Sequence, residues 1–286
     1  MTRKLAGWLW VLPALAFYGT FVLFPVAQTV QYSFYDWDGI GVATWAGLDN
    51  YARVFGNSEL YGSIVNAFIL ILFFAIIPIV IGLMAAAVLR EVRGRFGNAV
   101  ARTVLFLPQI IPLAGAAIAW SWMYSTDGVV NQLLRAVGLG GIARAWLGDF
   151  STALPAIGLI GTWVSFGLCT VLFSAGIGKI DPSLYEAARL DGAGRVREFL
   201  AITVPGLRQE IVVALTVLVI AALASFDIIY VATLGGPGYS TMVPGLMIYR
   251  LTFTAQQVGV ASALAVVLVV LVVAIVVPLQ RLRREA

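Results

Sequence analysis

Leu251-Thr-Phe-Thr-Ala-Gln-Gln-Val-Gly-Val-Ala-Ser-Ala-Leu-Ala-Val-Val-Leu-Val-Val-Leu-Val-Val-Ala-Ile-Val-Val-Pro-Leu-Gln280 runs for thirty residues without an Asp, Glu, Lys or Arg. A helix needs about 20 mostly apolar residues to cross roughly 30 Å of hydrocarbon at about 1.5 Å per residue. This stretch is long enough, and a buried helix of a water-soluble domain rarely runs so far uncharged. Four further windows, 5–35, 60–89, 103–126 and 150–178, are also free of charge, and 211–249 carries only Asp227. The reading is six spanning helices near 7–30, 64–89, 103–124, 153–177, 208–232 and 258–280, an all-α integral membrane protein.

Composition agrees. The 286 residues are 61% hydrophobic and 11% charged, with a mean hydropathy of +0.96. Soluble domains carry about a quarter charged residues. There is no histidine and a single cysteine, Cys169. A disulfide framework, a Cys-based metal site and an ordinary His-assisted nucleophile are thereby excluded. The chain is not expected to be an enzyme by itself, and no catalytic or metal-binding residue is assigned. The nearest approach to a phosphate-binding loop, Gly176-Ile177-Gly178-Lys179-Ile180, has Phe173 where the first glycine belongs and Ile180 where Ser or Thr belongs.

Charge sets the orientation. With six spans and the N-terminus inside, segments 1–6, 90–102, 178–210 and 281–286 are cytoplasmic and hold fourteen of the eighteen basic residues. Arg53, Arg135, Arg144 and Arg250 remain outside. The positive-inside rule favours both termini inside. The basic balance is thus a matter of topology, and nucleic acid is not an expected partner. Prolines 78, 108 and 112 fall within spans two and three and are expected to kink them. Gly115 and Ala119 suit a close helix contact.

The segment between spans four and five differs from the other short connections. It reads Lys179-Ile-Asp-Pro-Ser-Leu-Tyr-Glu-Ala-Ala-Arg-Leu-Asp-Gly-Ala-Gly-Arg-Val-Arg-Glu-Phe-Leu-Ala-Ile-Thr-Val-Pro205. Asp181-Pro182 signals a turn. Ser183, with Glu186 three residues on, reads as a capping box that starts a short helix. Asp191-Gly192-Ala193-Gly194 ends it, because glycine tolerates the positive φ of a tight reversal. A second amphipathic helix with Val196, Phe199, Leu200 and Thr203 on one face follows, and Pro205 is expected to end it. Arg195 and Arg197 read as solvated or lipid-facing charges.

Glu186-Ala187-Ala188, Asp191-Gly192-Ala193, then Phe199, Ile202 and Pro205 together resemble the EAA loop of binding-protein-dependent ABC permeases. Gln209 stands where that pattern has a second proline. Thr162-Trp163 looks like the family's matching position in span four. Phe226-Asp227, Ile229 and Gly235-Gly236-Pro237 are similar to the sugar-importing branch, the larger maltose-type permease and its glycerol-phosphate and disaccharide relatives. The resemblance covers roughly residues 60–280. It implies a type I ABC importer (MetI-like) permease fold: residues 1–62 as a first transmembrane helix and external loop, 63–280 as the permease domain with its coupling loop at 181–205, and 281–286 as a cytoplasmic tail.

The resemblance also implies a function and partners. The chain would be the permease subunit of an ATP-driven importer in the bacterial cytoplasmic membrane. It would carry a sugar or related polar solute together with a second homologous permease, two ATPase subunits or domains, and an extracytoplasmic solute-binding protein. ATP and Mg would bind the partner ATPase, leaving no cofactor on this chain. Glu186, Ala187, Ala188, Asp191, Gly192 and Ala193 would couple to the ATPase. Ser165, Phe166, Ser225, Phe226, Asp227 and Tyr230 would line the solute path. Asp227, the one charge in the apolar stretch 211–249, could accept hydrogen bonds from solute hydroxyls, with Phe226 and Tyr230 stacking on a ring. A stand-alone secondary transporter or a channel subunit is the alternative, although neither would need the loop at 181–205.

Overall fold

A computed structural model describes residues 2–91 and 95–284. The expected tail at 281–286 and the middle of the basic segment 90–102 lie partly outside them. The chain divides into two compact units. One runs to Tyr61 and takes in Met247–Val270; the other comprises Gly62–Leu246 and the chain from Leu271 onward.

In the first unit, α1 (Thr2–Tyr18) continues through a π-helical turn (Gly19–Leu23) into α2 (Phe24–Tyr32). A two-residue hairpin follows, β1 (Tyr35–Asp36) antiparallel to β2 (Thr44–Trp45), with Tyr35 opposite Trp45. Next comes α3 (Asp49–Gly56). Its buried Asn50 donates from Nδ2 to the Ser33 and Tyr35 carbonyls at 3.0 and 2.8 Å, tying helix to hairpin.

The second unit begins with α4 (Ser58–Ile71), a π-helical turn (Leu72–Ile76) and α5 (Ile77–Glu91). There follow α6 (Arg95–Ile110), α7 (Leu113–Met123), α8 (Val129–Ala136) and the 25-residue α9 (Ala153–Ile177). Then come α10 (Pro182–Leu190), α11 (Arg195–Glu198), a third π-helical turn (Phe199–Thr203), α12 (Val204–Gly206), α13 (Arg208–Leu223) and α14 (Asp227–Ala232). The chain closes with α15 (Pro244–Phe253) and α16 (Val258–Arg284), whose residues from Met247 to Val270 belong to the first unit. Helix α9 is the axis of the second unit and packs on α5, α6, α7 and α13.

Four helical stretches are long and apolar enough to cross a membrane: Trp10–Tyr32, Ser58–Glu91, Ala153–Ile177 and Val258–Arg281. They match four of the six predicted spans. The other two are broken. The span expected at 103–124 is bent by 93° between Ile110 and Leu113, where Pro112 leaves the helical region with ψ 137°. The span expected at 208–232 stops at Leu223, and the helix before it, Arg195–Gly206, meets α13 at 69°. Counting each bent pair once gives six spans.

Proline acts differently elsewhere. Each of the three π-helical turns ends two residues before a proline: Leu23 before Pro25, Ile76 before Pro78, Thr203 before Pro205. A proline in mid-helix lacks an N–H and clashes with the carbonyl four residues back. Opening one turn to i→i+5 bonding, as in the Ile77 N–H bond to the Leu72 carbonyl, relieves that crowding. Pro78 therefore leaves its helix unbroken from Ser58 to Glu91. Pro205 sits inside the helical run to Gly206, so the chain turns at the fully buried Leu207 and not at the proline.

Close helix contacts use glycines other than Gly115. Gly115 and Ala119 are exposed, and α7 buries Ala116 and Ala117 instead. On α9, Gly158 and Gly161 face Phe73 and Phe74, leaving no room for a Cβ. Gly82 of α5 abuts Cys169 in the same way.

Candidate functional site

The loop predicted at 181–205 is a compact helical hairpin. Its first helix is capped two residues earlier than the capping-box reading. Asp181 is the N-cap, its Oδ1 accepting the Ser183 N–H at 2.9 Å, and Pro182 occupies the first turn, where a missing N–H costs nothing. The same backbone bond holds the Asp181 carboxyl below the usual carboxylate range. Glu186 is exposed and does not close a box with Ser183.

The reversal is as the sequence predicts. Asp191 N–H donates to the Ala187 carbonyl, Gly192 N–H to Arg189 (3.0 Å) and Ala193 N–H to Ala188 (2.9 Å). Gly192 takes φ +77°. These bonds cap the last carbonyls of α10. Gly194, extended at φ −78° and ψ 168°, then starts α11.

One face of α10 is held and the other is open. Tyr185, 3% exposed, lies under Arg90 of α5, whose Cζ is 3.3 Å from the ring centroid. The Tyr185 hydroxyl is 3.1 Å from Thr203 Oγ1. Arg189 reaches across the turn with two bonds to Glu198, Nε to Oε1 at 2.8 Å and Nη2 to Oε2 at 3.2 Å. The Glu198 side chain is only 8% exposed. Its carboxyl is held below the usual range chiefly by that hydrogen bond, and Arg189 is raised in turn. Arg195 is the solvated charge expected from sequence, its side chain 84% exposed, and it also pairs with Glu91 at 3.3 Å. Glu186, Ala187, Asp191 and Gly192 are exposed, and Ala188 and Ala193 are half-buried. Leu184 and Leu190 are also open, Leu190 at 89%.

The second group of predicted residues sits at the end of α13. The helix stops at Leu223, and Phe226 takes φ −143° and ψ −61° before α14 begins. Asp227 is therefore the first residue of a short separate helix and not a mid-span residue of a continuous one. Phe226 and Tyr230 stack, with ring centroids 5.2 Å apart at 14°. Asp227 is exposed, and Tyr230 partly so. Ser225 is 7% exposed, and its buried Oγ has no hydrogen-bond partner among the described residues. Helix α14 packs on α7 and also touches α9, which carries the half-buried Ser165 and Phe166.

The predicted Gly235-Gly236-Pro237 lies in a hydrogen-bonded loop after α14. Thr241 Oγ1 bonds the Gly236 carbonyl at 2.8 Å and meets Thr233 Oγ1 at 2.8 Å. Asn66 Nδ2 donates to the Ser240 and Met242 carbonyls at 3.1 and 2.9 Å. Thr162 donates to the Phe73 carbonyl at 2.6 Å, and Trp163 meets Trp120 edge-on at 5.6 Å.

Sequence reasoning missed Tyr185, Arg189, Glu198 and Arg90. The available signal was a pair of opposite charges, Arg189 and Glu198, placed either side of the Gly192 turn.

Four continuous and two bent apolar helical stretches, with a helical hairpin between α9 and α13, fit a multi-pass membrane protein. Residues 78–283 match the family described as binding-protein-dependent transport system inner membrane component, and the chain belongs to that family. It is a multi-pass inner-membrane transport subunit, a permease and not an enzyme. The probable ABC transporter permease protein YurN of Bacillus subtilis (strain 168) is 35% identical over 275 residues, covering 96% of this chain and 94% of that protein. The diacetylchitobiose uptake system permease protein NgcF of Streptomyces coelicolor is 33% identical, covering 89% and 75%. A chain in the crystal structure of a bacterial alginate ABC transporter, in complex with an alginate pentasaccharide-bound periplasmic protein, superposes with a TM-score of 0.82. It is 24% identical and covers 99% of this chain and 95% of that one. The two share the fold.

Proposed function

We propose that this permease imports a sugar or closely related polar solute, and that it is driven through the α10–α11 hairpin by a separate ATPase. The observation that carries the coupling role is the open face of α10. Glu186, Ala187, Asp191 and Gly192 are exposed on a helix whose opposite face is held by Tyr185 and Arg189. Small Ala187 and Ala188 permit close approach of a partner, and Leu190 offers apolar surface to it. With 178–210 on the cytoplasmic side, as the positive-inside rule favours, this face meets a cytoplasmic ATPase. Inward and outward opening would follow from rigid-body rocking of the spans.

The carbohydrate class is supported by the relative named for diacetylchitobiose uptake. The residues proposed to meet solute are Ser225, Phe226, Asp227 and Tyr230, with Ser165 and Phe166 from α9. Exposed Asp227 and the stacked Phe226 and Tyr230 rings supply the acceptor and the apolar face that a saccharide needs. The full assembly would add a second permease, two ATPase subunits and a solute-binding protein.

Calorimetric titration of the cognate binding protein against a panel of mono- and oligosaccharides, polyols and glycerol phosphodiesters tests the solute class. Tight binding of a saccharide is expected, and binding of none would reject it. Cysteine cross-linking from Ala187 to the copurified ATPase tests the coupling face. A bend that never contacts that subunit would reject the assigned role.

A further inference from the structure

Motion delivered to α10 needs a route into the spans. The covalent route joins α10 to α9 through a hydrogen-bonded turn at Lys179–Ile180 and to α11 through the reversal at Gly192. A side-chain route points to a different helix. Arg90 and Glu91 are the last two residues of α5. Arg90 caps the ring of Tyr185, and Glu91 forms an exposed pair with Arg195. Tyr185 and Arg189 also bind the second helix through Thr203 and Glu198.

Between these elements lies a cavity of about 630 Å³, with Arg90, Glu91, Arg189, Glu198 and Thr203 in its walls. Broad apolar packing is therefore not what joins α10 to α5 here, and the connection depends on a few polar links. Those links are directional. The Arg189–Glu198 pair is a two-bond fork with one partner nearly buried, a geometry that resists shear better than a single point contact.

We propose that Tyr185, clasped by Arg90, is a positioning residue that carries movement of α10 into the C-terminal end of α5, and that Arg189, through its two bonds to Glu198, keeps the two hairpin helices moving together. Span two then follows the hairpin as one body with it, in addition to the covalently joined α9 and α13. This deepens the coupling role and rests on it.

The test uses the full transporter with its ATPase, second permease and binding protein. Spin labels at Ala187→Cys and Val88→Cys report the α10–α5 distance; native Cys169 is buried and stays unlabelled. The distance is expected to be the same in the nucleotide-free and the vanadate-trapped ATP states. In Arg189→Glu it should broaden and shift between states, and binding-protein-stimulated ATP turnover should fall roughly tenfold. The charge swap Arg189→Glu with Glu198→Arg should recover both. A distance that changes between states in the unsubstituted hairpin, or full stimulation in Arg189→Glu, would overturn the proposal. If Arg189→Glu does not assemble, the distance in the unsubstituted hairpin still decides. An Ala187 label that cross-links to the ATPase while these outcomes fail would sink the α5 link alone; no cross-link at all would sink the coupling role.

Discussion

The Thr162 hydroxyl donates to the Phe73 carbonyl at 2.6 Å, and it does so because Pro78 leaves that carbonyl without a backbone donor. In the π-helical turn Ile77 bonds Leu72, and the next N–H in line would be that of residue 78. Thr162→Val keeps the shape and removes the donor. It should cost about 1–2 kcal/mol, read as a lower unfolding temperature in detergent, whereas Thr162→Ser should behave as the parent. An unchanged Thr162→Val would mean another group satisfies Phe73.

Gly161 faces the Phe74 ring with no room for a side chain. Gly161→Leu should therefore reduce the yield of folded permease, or destabilise it by about 1–3 kcal/mol or more. Gly115→Leu, at an exposed position, should leave this subunit's own stability unchanged. Thermal unfolding of the two variants side by side checks the contrast.

Gly192 sits at φ +77° with open space around it, so the constraint there is conformational and not steric crowding. Gly192→Ala should cost about 1–2 kcal/mol locally. Gly192→Pro, whose φ is locked near −65°, should disrupt the hairpin and uncouple uptake from ATP hydrolysis while the spans stay inserted. Rates of both processes in reconstituted complex decide this; normal coupled transport would refute it.

Ser225 separates a binding role from a structural one. Its Oγ satisfies no partner among the described residues, so Ser225→Ala should not lower stability. If the hydroxyl serves solute, uptake should still fall. Asp227→Ala should likewise lower uptake more than assembly. Uptake kinetics alongside copurification yield would show it, and unchanged kinetics in both variants would remove this end of α13 from the path.

Glu198 predicts a pH response. Arg189 holds its carboxyl below the usual range, so its folded pKa lies below its unfolded value. The stabilisation is complete above the unfolded value of about 4.3 and is lost as pH falls below it. Spin-label mobility at Ala187 should therefore be flat from neutral pH to about pH 5 and rise in stronger acid. Glu198→Gln should abolish that acid-dependent step.

The spans that matched were those whose apolar runs contain no unpaired break, as in 153–177. Asp191-Gly192 was legible because a positive φ leaves few choices of residue. The start of α10 was misplaced because Asp181 and Ser183 are both good caps, and Pro182 decides between them by fitting the first turn. The stop at Leu223 carries no proline or glycine to announce it. The Arg189–Glu198 pair depends on how the hairpin folds back, which residue spacing along one helix does not encode.

Three prolines, at 25, 78 and 205, each follow a π-helical turn at the same offset. Such a turn holds one residue more than an α turn, and one residue is about 100° of rotation on a helical wheel. Side chains before and after each proline therefore fall out of phase with counting by threes and fours. A substitution scan that assumes a single unbroken wheel from Ser58 to Glu91 would assign the lipid-facing and inward-facing positions on one side of Pro78 to the wrong sectors.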